Sequence, residues 1–457
     1  MTGRARAMRV RVEEALEKMG ERKNLDKALS TSNQKRNKTI STIPEWESMR
    51  SWARAVKDEV LAGWDYYLDT FSRRAEENGM EVHWADDALE ACSIIGGIAE
   101  RGEAKLIVKS KSMLTEEIEL NNFLEGRGFE VVETDLGEFV AQISGEKPSH
   151  IVAPIIHKSR EQVIDIYMKR LNAPPLESAE EITAFTRDLL REKFLKADVG
   201  ITGANFGLAE EGAVVIVENE GNVRLCSTLP RVHVIVMGIE RLLPSARELP
   251  TFLRLLAVSA TGQSITNYVS MIRSPRLEDE CDGPRELHLV LVDNGRTGIN
   301  IDPDLREILH CIRCGACLNV CPVYQRIGGH SYGWIYPGPM GSVLTPLLCE
   351  SHDYQELPYL STLCGRCSET CPVKIELEHL LIQMRRKMVD RGSGRKLEKF
   401  LFLLFSHTAE SPTLFRFLER VLRIPLTVLA KKASIPLQDP SPRSFHRRWV
   451  GGERDWG

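Results

Sequence analysis

The sequence predicts an α/β protein, with a mostly parallel sheet covered by helices, followed by a helical module rich in clustered cysteines and then by C-terminal helices. Three observations carry that prediction. Between about 104 and 294, short β-branched runs alternate with helical stretches. Seven of the eleven cysteines gather in two runs between Cys311 and Cys371. After 386 a helical period returns, in Leu401–Phe405 and Leu414–Arg423. The corresponding divisions are 1–65, an N-terminal helical segment; 66–298, the α/β domain; 299–385, the cysteine module; and 386–457, C-terminal helices and a tail.

In chain order, the first 55 or so residues read as polar helix. Leu25 and Leu29 are followed by the basic stretch Lys35-Arg36-Asn37-Lys38, expected to be a solvated face. After Pro44, Trp46, Trp52, Val56, Val60 and Trp64 recur at helical intervals, the pattern of core packing, and the segment reads as a strap onto the next domain. Strands are expected at Leu106–Lys109, Glu130–Glu133, Ile151–Ala153, Val199–Thr202, Ala213–Val217, Val232–Met237 and Leu287–Val292. Helices at Ser178–Leu195 and Ser245–Ala257 would cover the sheet. The run 414–423 places Arg416, Arg420 and Arg423 beside apolar residues, suiting a helical hairpin or a partner contact better than a membrane surface. The tail after Pro436 reads as an extended interaction segment or disorder.

Ligands of parallel sheets bind beyond the carboxyl ends of strands, so three loops draw attention. Lys109-Ser110-Lys111-Ser112 could hold an anion, although a helix cap beside two exposed lysines is the simpler reading. The loop Thr202–Gly212 carries Glu210 and Glu211. The turn Glu218–Leu225 brings together Glu218, Glu220 and Arg224. A candidate substrate or anion site is therefore Lys109, Glu218, Glu220 and Arg224, with Glu211, Glu218 or Glu220 as acid or base; no catalytic residue is assigned. His150 and His157 could line a site, but histidines at strand edges are commonly satisfied by backbone.

The cysteine runs are Cys311-Ile-Arg-Cys314-Gly-Ala-Cys317-Leu-Asn-Val-Cys321-Pro322 and Cys364-Gly-Arg-Cys367-Ser-Glu-Thr-Cys371-Pro372. The first fits C-x2-C-x2-C-x3-C-P, whose fourth cysteine ligates the other cluster in two-cluster iron-sulfur proteins. Thiolates are soft ligands suited to iron and sulfide, and the triple spacing offers more of them than one zinc needs. Interleaving assigns Cys311, Cys314, Cys317 and Cys371 to one 4Fe-4S cluster and Cys321, Cys364 and Cys367 to a second. The second is one thiolate short. Ser361, where a complete run would have cysteine, water, Cys349, or a 3Fe-4S cluster with no fourth iron remain open; a turn cap at Ser361 and a buried thiol at Cys349 are the plainer readings. Cys92, Cys226, Cys281 and Cys349 suit core packing. The glycine- and aromatic-rich loop Gly328–Gly341 could shield a cluster or present it to a partner.

Several classes are disfavoured. Sixty basic and sixty-four acidic residues leave a formal charge of −4, with no field to attract nucleic acid. Neither G-x-G-x-x-G nor a P-loop is present, so no nicotinamide or ATP site is expected, and Gly329-His330-Ser331-Tyr332-Gly333 lacks the flanking strand and helix of a nucleophile elbow. With no leader-like apolar region and no stretch near the ~20 apolar residues of a membrane span, a cytoplasmic location is expected.

The runs Gly200–Gly207, Glu218–Asn222 and Thr228–Glu240 resemble the lactate-utilisation domain, and the cysteine module follows as in the lactate-utilisation protein B family. Tyr336–Gly341, Leu363–Cys367 and the tryptophan-containing tail extend the resemblance over nearly the whole chain. It implies an α/β domain similar to NagB/RpiA/CoA-transferase-like proteins. It also implies a cytoplasmic, non-flavin iron-sulfur electron-transfer subunit of a multi-protein complex oxidising L-lactate to pyruvate. The family's cluster ligands fall on the same seven cysteines. The implied partners are a protein with CCG repeats, absent from this chain, and a second lactate-utilisation-domain protein. A different substrate, or a small hydroxyacid acted on by the α/β domain itself, is the alternative.

Overall fold

Why the apolar runs become a parallel sheet is visible in how they are buried. In the computed structural model, which describes residues 8–349, 352–390, 396–415, 417 and 451, the strands are β1 (Glu81–Ala85), β2 (Leu106–Lys109), β3 (Glu130–Glu133), β4 (Val199–Gly203), β5 (Phe206–Leu208), β6 (Ala213–Glu218), β7 (Val232–Gly238), β8 (Leu242–Leu243), β9 (Tyr268–Ile272) and β10 (Glu286–Val292). Six form one sheet in the order β1-β10-β7-β4-β2-β3, every pair parallel. Alternate residues of one strand reach opposite faces: Ile107 packs with Ile95, Leu124 and Ile201, while Val108 packs with Phe139, Tyr167 and Leu190. Helices therefore cover both faces, as continuous apolar strands require. Helix Asn222–Thr228 lies so close to β4 that a Cβ on Gly200 would stand 1.8 Å from the Cys226 carbonyl oxygen.

Four of the expected strands, β2, β3, β7 and β10, and the strand beginning at Val199 stand in the large sheet. Ala213–Val217 instead joins a second sheet, β8-β5-β6-β9. Ile151–Ala153 is not a strand. The backbone N–H groups of Val152 and Ala153 both donate to His150 Nδ1, at 3.1 Å, which turns the chain there and overrides β-branched propensity. Strand β1 escaped the sequence reading because it is an edge strand with Trp84 half exposed.

The N-terminal helices, Met8–Glu17, Met19–Ile40, Trp46–Ala62 and Trp64–Glu77, strap two parts of the molecule together. Lys57 Nζ donates to the Glu240 carbonyl at 2.6 Å in the α/β part, while Arg50 Nε donates to the Cys371 carbonyl at 2.9 Å in the cysteine module. In the basic stretch Lys35, Asn37 and Lys38 are exposed as expected, but Arg36 is buried, donates to the Thr370 carbonyl at 2.9 Å and lies over Trp46. Trp52, expected in the core, is half exposed, because it lies on the outer side of a helix whose Trp46, Val56 and Val60 face inward.

The cysteine module is built of short helices, among them Ala316–Asn319, Gly338–Leu348 and Arg366–Thr370, and ends in Leu377–Asp390. The chain divides after Lys387 into two compact units. In the second, Lys396–Ala409 is helical. Apart from Leu414, Phe415 and Phe417, the run 414–423 lies outside the described residues, as does the tail after Pro436 except residue 451. Among the described residues no helix is long and apolar enough to cross a membrane.

Candidate functional site

The two cysteine runs fold as a repeat. Cys314 lies between two residues of positive φ, Arg313 (58°) and Gly315 (77°), and Cys364 lies between Leu363 (53°) and Gly365 (76°). Each glycine opens a short helix. Cys317 thus corresponds to Cys367, Cys321 to Cys371, and Ser361 stands where the first run has Cys311. Cys311, Cys314, Cys317 and Cys371 line one small cavity, walled by apolar groups such as Ile151 and Met340. Cys321 has Cys364 as an electrostatic neighbour and Cys367 has Cys321, making a second group, and Cys317 adjoins Cys367, so the groups are adjacent. Cys371 is buried, whereas Cys364 is exposed.

The donor set fits iron-sulfur chemistry. All seven thiols are free, and backbone N–H groups are aimed at the sulfurs of all but Cys317. Arg313 N–H donates to Cys311 Sγ at 3.4 Å and Tyr324 N–H to Cys321 Sγ at 3.5 Å; Ala316, Arg366, Ser368 and Val373 serve Cys314, Cys364, Cys367 and Cys371. Such donors favour thiolate. Burial opposes them, pushing Cys371 up to about 11 and Cys367 up to about 12, so the thiolates need a cationic core to neutralise them. The Tyr332 hydroxyl, fully buried beside Cys321 and Cys317, has no hydrogen-bond partner, and inorganic sulfide would supply one.

Both protein candidates for the missing fourth ligand have other partners in the structure. Ser361 Oγ accepts the Leu363 N–H at 3.1 Å, a turn cap. Cys349 has Glu117, Glu119 and Tyr354 as its electrostatic neighbours. Of the remaining cysteines, Cys92 and Cys226 are buried, but Cys281 is exposed rather than packed in the core, because it lies in an open loop before β10.

A cavity of about 290 Å³ opens at the carboxyl ends of β2, β4 and β7. Its location follows from topology: β3 lies on one side of β2 and β4 on the other, so the loops after β2 and β4 diverge and leave a crevice. Lys111 and Ser112 line it after β2, Gly203 and Asn205 after β4, and Glu240 and Arg241 after β7. Arg313 and Tyr336 close it from the cysteine module. Beneath them Arg296 pairs with Glu117 (2.8 Å from Nη1 to Oε1) and with Glu240 (2.7 Å from Nε to Oε2), and the Tyr336 hydroxyl donates to Glu117 at 2.7 Å. A Cβ on Gly238 would stand 2.2 Å from Glu240 Oε2, so only glycine lets the pair lie against the strand end. Burial would raise the Glu240 carboxyl, but Arg296, Arg241 and Arg313 outweigh it and hold the group at about 2.

The cavity takes in only part of the residue set expected from sequence. Glu218 lines it, but its carboxylate already accepts the N–H groups of Val223 (2.9 Å) and Arg224 (3.0 Å). Glu220 is exposed at the rim. Lys109 is not an exposed anion ligand. It is fully buried, 2.7 Å from Glu133 and 3.2 Å from Glu116, and although burial would lower its pKa these carboxylates hold it above the ordinary lysine value. Arg224 does not line the cavity but lies over Tyr268, 5.0 Å from the ring centre. Glu211 accepts the Ala246 N–H at 3.0 Å instead of lining the cavity. Ser331 is buried, with its hydroxyl donating to the Ile327 carbonyl at 2.6 Å, so it is no nucleophile. Sequence reading missed Arg241 and Arg313. The first was findable as a loop residue after a predicted strand; the second lay inside a motif where spacing pointed only to its cysteines.

Neither His150 nor His157 lines this cavity. His157 bonds Ser149 Oγ at 2.8 Å and Glu146 Oε2 at 3.2 Å. His150 accepts two N–H groups at Nδ1 and faces Asn319 Oδ1 at 3.0 Å through Nε2, so it is neutral; burial lowers its pKa to about 4. The sign follows. A histidine depressed on folding confers stability that is complete above the ordinary value near 6.5 and is lost as pH falls toward about 4, here about 3 kcal/mol. Urea unfolding should therefore show midpoints declining between pH 6.5 and 4, and a His150→Gln variant should show a shallower decline over that window; parallel slopes would contradict the assignment.

Comparisons with known proteins agree with this arrangement. Residues 68–292 match the LUD domain and residues 307–375 match the 4Fe-4S dicluster domain, which implies two iron-sulfur clusters. Lactate utilization protein B of Shouchella clausii is 44% identical over 94% of this chain and 91% of its own length. The protein of that name from Bacillus subtilis is 47% identical over 84% of this chain and 80% of its own length. A DUF162 family protein from Deinococcus radiodurans, of known crystal structure, is 15% identical over 50% of this chain and 97% of its own, with a TM-score of 0.29, too low to carry an argument.

Proposed function

This chain belongs to the lactate utilization protein B family, and from that membership we propose that it is the iron-sulfur electron-transfer subunit of a multi-protein system oxidising L-lactate to pyruvate. The observation that carries the proposal is the pair of adjacent thiol groups, one buried and one reaching the surface at Cys364. Cys311, Cys314, Cys317 and Cys371 hold the first cluster, and Cys321, Cys364 and Cys367 hold the second, whose remaining iron is absent or has a non-cysteine ligand. Oxidation of lactate releases two electrons and two protons; when bound, the clusters would supply one-electron carriers, with the second held near the surface at Cys364. Partners with the same system's other roles, among them a CCG-repeat protein and a second lactate-utilisation-domain protein, complete the reaction. Their docking brings an acceptor within reach of Cys364.

Anaerobic reconstitution tests this reading. The chain should bind roughly seven to eight irons and give a reducible EPR signal, as two cubane-type clusters require. With co-purified partners, L-lactate should reduce the clusters. Iron near zero, or clusters inert to lactate in the complete assembly, would overturn it.

A further inference from the structure

The cavity beside the first cysteine run is lined by as many acidic as basic side chains, but two of its arginines are poorly paired. Arg241 and Arg313 share a single carboxylate oxygen, Glu240 Oε1, at 3.7 and 3.4 Å, both long for charge-assisted hydrogen bonds of about 2.7–2.9 Å. Glu240 spends its other oxygen on Arg296. Arg313 is 8% exposed, yet its Nε has no partner, and Arg241 Nη1 reaches only the Cys311 carbonyl at 3.5 Å. Thr266 Oγ1, also on the cavity wall, is buried and unpartnered. The rim acids are differently placed: Asp135 accepts the N–H groups of Gly137 and Glu138, and Glu218 those of Val223 and Arg224. Those two acids are satisfied by backbone and Glu220 is exposed at the rim, whereas Arg241 and Arg313 are left with long contacts. Ile151, Leu256 and Ala257 supply an apolar wall, and the volume of about 290 Å³ lies at the small end of ligand sites, about 300–1,000 Å³.

We propose that this cavity binds a short-chain monocarboxylate, its carboxylate on Arg241 and Arg313, its hydroxyl or keto oxygen toward Thr266, and its alkyl end on the apolar wall. The proposal rests on the electron-transfer reading for the choice of L-lactate and pyruvate as ligands. Its consequence is a short link to the clusters. Arg313 stands between Cys311 and Cys314 in sequence and lies over Tyr336 at 4.9 Å, so a bound carboxylate touches the loop that grips the first cluster. The ligand would sit beside the loop of the buried group, which carries Cys311 and Cys314.

The test uses the anaerobically reconstituted full chain without partners, titrated with L-lactate, pyruvate and the neutral amide L-lactamide. Calorimetry should show the two acids binding at least tenfold more tightly than the amide, and they should perturb the EPR spectrum of the reduced first cluster. Arg241→Gln should weaken acid binding at least tenfold with the iron content of the reconstituted chain retained. Thr266→Val should weaken it at least threefold, which covers the case in which the arginine variant misfolds. Equal affinity for acid and amide, unchanged affinity in a folded variant, or no binding by the wild-type chain would overturn the proposal. If both clusters are present and reducible in that last case, the carboxylate site fails while the electron-transfer reading stands; missing clusters would defeat the reading instead.

Discussion

Replacing Cys371 with serine should reduce the iron content of the reconstituted chain by roughly four atoms and abolish the signal of the buried cluster. Replacing Cys364 should spare that signal and remove only the second. The two cysteines lie in one C-x2-C-x3-C run, yet the interleaved spacing assigns them to different clusters. Structure separates them: Cys371 lines the cavity with Cys311, Cys314 and Cys317, whereas Cys364 is exposed beside Cys321. The serine variant isolates ligand chemistry from loop position. The loop is held by backbone carbonyls, with Arg50 donating to those of Cys371 (2.9 Å) and Glu369 (2.8 Å) and Arg36 to that of Thr370 (2.9 Å). None of these depends on the sulfur. What changes is a soft thiolate becoming a hard, poorly acidic hydroxyl. Iron analysis and EPR on both variants decide the matter; equal losses, or loss of the wrong signal, would break the grouping.

The same contrast shows what could be read from sequence. Ligand spacing is local, so the cysteine runs and the apolar strands β2, β7 and β10 were legible: each is defined by residues close in the chain. The cavity was not, because it is assembled from the ends of β2, β4 and β7 and a loop that follows them by some seventy residues, Arg241 to Arg313. Glu218 looked like an acid because sequence cannot show that the next helix turns its first N–H groups onto it. Lys109 and Lys111 looked equivalent, yet the first ends β2 and is buried against Glu133, while the second lies in the loop beyond the strand and reaches the cavity. Arg36 in the basic stretch misled for the same reason, since it meets Thr370 only after folding. Side-chain type was visible throughout; what each charge would face was not.

The charge whose partners matter most is Arg296, and its replacement by methionine should cost about 3–5 kcal/mol in urea unfolding, the usual consequence of removing one member of a buried ionic network. Arg296 is 1% exposed and makes a two-point contact with Glu117 at 2.8 Å, a third bond to Glu240 at 2.7 Å and a fourth to the Asp293 carbonyl at 3.0 Å. Methionine fills much of the space but leaves two buried carboxylates short of donors. Glu117 would retain Asn294 and the Tyr336 hydroxyl, and Glu240 only the long contacts to Arg241 and Arg313. Lysine should not rescue the variant, since one ammonium cannot reproduce a planar fork reaching both acids. The exposed pair Arg231 and Glu286, at 2.8 Å, provides the comparison: Glu286→Gln should cost less than about 1 kcal/mol despite similar geometry. Because Glu117 comes from the α/β part and Tyr336 from the cysteine module, the loss should also loosen the seam between them. Adding Glu117→Gln to Arg296→Met should therefore recover part of the stability by removing one uncompensated charge. A double variant no more stable than the single one would mean that Arg296 acts through packing rather than through charge.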